Sequence, residues 1–102
     1  MDAKKLQQLL DEHLPTQIVT PAFKSSKALY TNGITLCIGE VSIARFNYTN
    51  LVKKNSNLRY VAKSAIESVK TLDAAYFETE EEAAIHCIKI AEKFLAKLFA
   101  KP

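Results

Sequence analysis

Glycine is scarce in this chain. It occurs twice in 102 residues, as Gly33 and Gly39. A glycine-rich loop of the kind that cradles phosphates cannot be built from two separated glycines. Cysteine is equally sparse: Cys37 and Cys87 stand fifty positions apart, each among apolar residues. Without a C-x-x-C pair, the zinc-ribbon and thiol-redox classes have no ligands. The two thiols are expected to be buried and reduced, since small disulfide frameworks carry more cysteines than this. The two histidines, His13 and His86, are not in the spacing of a metalloprotease helix. No run approaches the roughly 20 apolar residues that cross a bilayer, and the first residues lack the apolar core of a secretory signal. The expected setting is cytoplasmic, with no membrane partner.

What remains is the composition of an ordinary folded domain. Apolar residues make up 48% and charged residues 25% of the chain, with 14 basic against 11 acidic residues and a net charge of +3. Such a chain buries one core. A mild positive excess permits a polyanionic partner without demanding one. No repeat or low-complexity tract interrupts it, so residues 1–102 read as a single domain.

Residues 3–14 carry Leu6, Leu9, Leu10 and Leu14 at helical spacing, with Lys4, Lys5, Gln8, Asp11 and Glu12 mostly off that face. Asp2 can cap this helix and Pro15 ends it. The leucines either pack on their own domain or form a docking face.

The character then changes to β-branched and aromatic residues. Asn32-Gly33 lies between the strand-like stretches 28–31 and 34–38, which predicts a type I′ hairpin turn there. Gly39-Glu40 predicts a bulge or a second turn. Residues 41–48 read as a further strand, and 49–57 as a polar loop. Residues 58–69 alternate as a strand does, with a competing helical repeat, and the strand is preferred.

The clearest local signal follows. Ala74-Ala75-Tyr76-Phe77 leads into Glu78-Thr79-Glu80-Glu81-Glu82. Thr79 and Glu82 have capping-box spacing, and the acidic run suits the positive end of a helix dipole. A helix is predicted from about Glu80 to Lys101. Its apolar face holds Ala84, Ile85, Ile88, Ala91, Leu95, Leu98 and Phe99, with Cys87 and Phe94 at the margin. His86, Lys89, Lys93 and Lys97 fall on its polar face.

The passage from Tyr76 to Ala84 resembles the strand-to-helix junction of AP2-type DNA-binding domains. There an aromatic residue ends the last strand, and a capping threonine, acidic residues and alanines follow. It is also similar to the junction in short phage and prophage proteins, in which two or three strands precede one long helix. The likeness spans residues 74–90 and implies the same strand-then-helix order here, with nucleic acid or protein as partner.

The expected fold class is α+β: an N-terminal helix, an antiparallel sheet of three to four strands, and a long C-terminal helix packed on one sheet face. No catalytic or metal-binding set converges, because the consecutive glutamates splay round a helix and adjacent His86 and Cys87 point about 100° apart. A non-enzymatic binding protein without cofactor is expected. One reading gives it a protein partner, as for a phage-type accessory or inhibitor, or a second copy of the chain. Leu6, Leu9, Leu10 and Phe94 would then form the contact. The alternative is a nucleic-acid-binding module. Between residues 41 and 70, Arg45, Lys53, Lys54, Arg59, Lys63 and Lys70 face Glu67 alone. A sheet face with Arg45, Arg59 and Lys63, beside a Lys53-Lys54 loop, would suit a phosphate backbone.

Overall fold

The computed structural model describes residues 3–14, 21–28, 31–49, 57–65 and 74–99. Helix α1 (Ala3–His13) precedes five strands: β1 (Pro21–Ala28), β2 (Thr31–Ile38), β3 (Val41–Tyr48), β4 (Tyr60–Ser64) and β5 (Ala75–Phe77). Helix α2 (Glu80–Phe99) follows. The strands form one antiparallel sheet in the order β1-β2-β3-β4-β5, each beside its neighbour in sequence. The architecture is the α+β class expected, with five strands rather than three or four. The proposed cap Asp2, the stop Pro15 and residues 50–56 and 66–73 lie outside the described residues.

Register explains which side chains meet. Phe23, Leu36 and Ala44 are cross-strand partners, and so are Ile34, Phe46, Ala62 and Ala75 in the next row. Since strand side chains alternate between faces, these rows share one face. Both helices cover it. Helix α2 lies chiefly across β3 and β4, and α1 packs against α2 and β1. The resulting core joins Leu36, Ile43, Phe46 and Ala62 to Leu6, Leu9 and Leu10 of α1 and to Ala84, Cys87, Ile88 and Ala91 of α2. Phe23 meets Phe46 edge-on at 6.0 Å between centroids, a geometry favoured by the ring quadrupoles.

Two local expectations change. Asn32-Gly33 does not turn the chain: both residues sit inside β2, opposite Lys27 and Ser26. Ala28 and Thr31 are already partners, so pairing of the two strands begins before Asn32. Turn propensity at Asn-Gly yields here to the register that sets Phe23 beside Leu36 over the core. The true glycine turn is Gly39-Glu40, where Gly39 has φ 63°. The second change is a bulge: Leu36 pairs with Ala44 but Cys37 with Ser42, so Ile43 is the extra residue. Ile43 and Ala44 are consequently both fully buried despite being consecutive.

Helix α2 buries a wider stripe than one sheet face requires. Ala83, Ala84, Cys87, Ile88, Ile90 and Ala91 are all inaccessible. Cys87 therefore stands in the middle of the stripe and not at its margin. The cause is a second neighbour, α1, alongside the sheet. The side chains of Leu98 and Phe99 lie outside the described residues.

Candidate functional site

The face of the sheet opposite the helices carries the charge. Lys24 pairs with Thr35, Thr35 with Arg45, and Arg45 with Lys63. These four residues form one row across four strands, on the alternate positions to the core rows. At about 4.8 Å per strand, the row runs roughly 14 Å from Lys24 to Lys63. Lys24 and Lys63 are exposed and Arg45 is half-buried. Thr35, between Lys24 and Arg45 in the row, is only 7% exposed.

Among the described residues, no strand contains an acidic residue. The described carboxylates sit elsewhere: Asp11, Glu12 and Glu92 on helices, Glu40 in the β2–β3 turn, and Glu78 to Glu82 at the β5–α2 junction. Arg45 and Lys63 are directly opposed like charges, an arrangement that costs a sheet stability.

Arg45 is held in place. Its Nη1 donates to Asn47 Oδ1 at 2.9 Å, and Asn47 Nδ2 donates to the Tyr48 carbonyl at 2.8 Å, which fixes the amide. The guanidinium lies against Gly33 on the adjacent strand. A Cβ added there would stand 2.6 Å from Arg45 Cζ and Nη2. Gly33 is thus a glycine of close approach, in the row Gly33–Asn47–Val61–Tyr76 beside the cation row.

Arg59 extends the same face. Its backbone N–H donates to Phe77 O at 2.9 Å and its carbonyl accepts from Thr49 N at 2.7 Å, so the ladder continues past Tyr60. Alternation then sets Arg59 with Val61 and Lys63. Its Nη1 donates to the Leu58 carbonyl at 2.9 Å. Tyr76, on edge strand β5, is 45% exposed on this face.

Of the residues expected to contact nucleic acid, Arg45, Arg59 and Lys63 therefore share a surface. Lys53 and Lys54 lie outside the described residues. Lys24 and Tyr76 are additions, brought in by pairing that sequence reading did not assign. The residues expected at a protein contact fare differently. Leu6, Leu9 and Leu10 are 5%, 2% and 1% exposed within the domain's own core, and Phe94 is half-buried against it.

Chemistry on the helical side is sparse. A cleft of about 260 Å³ opens between Ile34, Phe46, Tyr48, Tyr60 and Glu80, where Tyr48 and Tyr60 meet edge-on at 5.7 Å. A smaller one, about 190 Å³, is lined by Phe77, Glu82, Ile85, His86 and Lys89. His86 is half-buried and not solvated as its place on the polar face predicts. Its ring lies 5.2 Å from that of Phe77, and its buried Nε2 has no hydrogen-bond partner among the described residues. Burial, then Lys89 and Lys93, lowers its pKa.

Burial pushes the Cys87 thiol up to about 12, which keeps it protonated and a poor nucleophile. Both cysteines are free and buried. The glutamate run disperses: Glu81 lies 3.7 Å from Lys5, and Glu82 bonds Thr79. Among the described residues, no group of three or more His, Cys, Asp or Glu could hold a metal, and no helix is long and apolar enough to cross a membrane.

Fold and surface together define a two-layer α+β protein with its helices on one sheet face and a cationic row on the other. Compared with protein-family models, with curated proteins and with solved structures, the chain matches none.

Proposed function

We propose that this chain is a non-enzymatic binding module for nucleic acid, working through the helix-free face of its sheet. The observation that supports this reading is the row Lys24–Thr35–Arg45–Lys63, with Arg59 on the same face and, among the described residues, no acidic residue on a strand. Cations held on a rigid sheet neutralise phosphates and release their counterions, which supplies sequence-independent affinity. The opposed Arg45 and Lys63 strengthen the reading, since local rules are most often broken where function requires it.

A protein partner is the other reading, and less on this surface speaks for it. The leucines of α1 are committed to the core. Among the described residues, the large exposed apolar residues Val41, Tyr48 and Tyr76 are scattered: Val41 beside the Gly39-Glu40 turn, Tyr48 at the far end of the same strand, Tyr76 on the edge strand. Docking by burial needs a contiguous patch.

The test is an anisotropy titration of labelled DNA at low and moderate salt, with wild type and with Lys24→Gln/Lys63→Gln. Binding is expected to weaken steeply with salt. The variant should lower the slope of log K against log salt by roughly 0.7–0.9 per lysine removed. Absence of binding at low salt would overturn the reading and favour the protein partner.

A further inference from the structure

We infer that the nucleic acid this face takes is single-stranded, laid across the strands along the cation row with a base stacked on Tyr76. The inference rests on the nucleic-acid reading above and goes beyond it in naming the substrate class and the residue that selects it. Three observations carry it.

The first is what the face lacks. A duplex is read in its major groove by a helix or a two-stranded ribbon. Both α1 and α2 are packed on the opposite side of the sheet, so among the described residues nothing projects from this face to enter a groove.

The second is the aromatic. Tyr76 is exposed on the helix-free face while its neighbours Ala75 and Phe77 turn inward. Phe77 packs on the core. An exposed tyrosine on a sheet can stack an unpaired base, whereas the bases inside a duplex present only their edges.

The third is the floor between Tyr76 and the guanidinium of Arg45. The row Gly33–Asn47–Val61–Tyr76 runs parallel to the cation row. Gly33 carries no side chain, and Asn47 is tied down by its bonds to Arg45 and to the Tyr48 carbonyl. The Arg45 guanidinium covers Gly33, and half-buried Val61 stands between Asn47 and Tyr76, so the row beside the cations presents a planar guanidinium at one end and a tyrosine at the other. Arginine planes and aromatic rings are the two surfaces on which splayed bases stack. Phosphates over Lys24, Arg45 and Lys63 would leave the bases directed over this floor.

The experiment titrates the full chain into a short labelled oligothymidine, and into a labelled duplex of equal length, at two salt concentrations. Wild type is compared with Tyr76→Ala and Tyr76→Phe, and far-UV circular dichroism verifies the fold of each. The single strand is expected to bind more tightly than the duplex. Tyr76→Ala should weaken single-strand binding about tenfold with an unchanged salt slope, and Tyr76→Phe should retain it. Equal affinity for both forms, with Tyr76→Ala neutral, would overturn the single-strand inference and leave the nucleic-acid reading standing. Binding of neither form at low salt would overturn both.

Discussion

At the scale of single residues, the two glycines show how a local signal can point to the wrong place. Gly33 follows an asparagine, and that dipeptide is the strongest short hairpin signal in a sequence. Its actual use depends on Arg45, twelve positions later, whose guanidinium occupies the space a Cβ would fill. Nothing within the window that reveals a turn could reveal that contact. Gly39 is the reverse case: its φ of 63° is the kind of demand that an isolated glycine before a polar residue announces. His86 belongs between them. Its place in the helical pattern reads as polar, but only the fold brings Phe77 against it. A histidine whose pKa is lowered in the native state is more readily protonated when unfolded. Stability is therefore present in full above the unfolded value near 6.5 and is lost as pH falls through the lower native value. Urea midpoints taken between about pH 7 and pH 5 should fall for the wild type and fall less for His86→Leu. Equal slopes would show that other groups set the acid limit.

At the scale of elements, the helices were legible in full and the sheet only in part, for a physical reason. A helix declares itself through contacts made three and four residues apart. Both α1 and α2 begin and end near the expected positions. At the start of α2 the N-cap bond forms as the spacing predicts, Glu82 N donating to Thr79 Oγ1 at 3.2 Å, while the Glu82 carboxylate accepts from the Thr79 hydroxyl at 2.9 Å. The carbonyl of Thr79 accepts from Ala83 N, the first bond of the helix. Since the cap satisfies an otherwise orphaned donor, Thr79→Ala is expected to cost about 1 kcal/mol. A lowered urea midpoint with unchanged m would register it. Strand β4 was legible from its alternation, but β1 was not. Its residues Pro-Ala-Phe-Lys-Ser-Ser-Lys-Ala hold one large apolar side chain, as an edge strand with one anchoring residue can. Missing β1 meant missing Lys24. Partners in a sheet are set by register between distant segments, and one sequence does not contain that register in readable form.

At the scale of the whole molecule, the two faces of the sheet answer to different demands, and the difference can be measured. The helical face holds the core. The other face gathers Lys24, Arg45, Arg59 and Lys63, and among the described residues no strand carries a carboxylate. If stability alone governed that surface, the position opposite Arg45 would favour a carboxylate, because opposite charges directly across a ladder gain what like charges lose. Lys63 stands there instead. Replacing it with the opposite charge separates the two demands. Lys63→Glu is expected to stabilise the fold by about 0.2–1 kcal/mol, through relief of the repulsion and formation of a cross-strand ion pair. The gain should shrink with added salt, since both side chains reach solvent. The same change should sharply weaken nucleic-acid binding, because it removes one phosphate contact and sets a carboxylate among those that remain. Urea midpoints and anisotropy titrations on one protein preparation give both numbers. A variant that is more stable and binds worse would mark the row as a surface kept for its partner at a cost to the fold. A variant that is less stable would show that Lys63 supports the sheet itself, and the cation row would then lose its strongest claim to function.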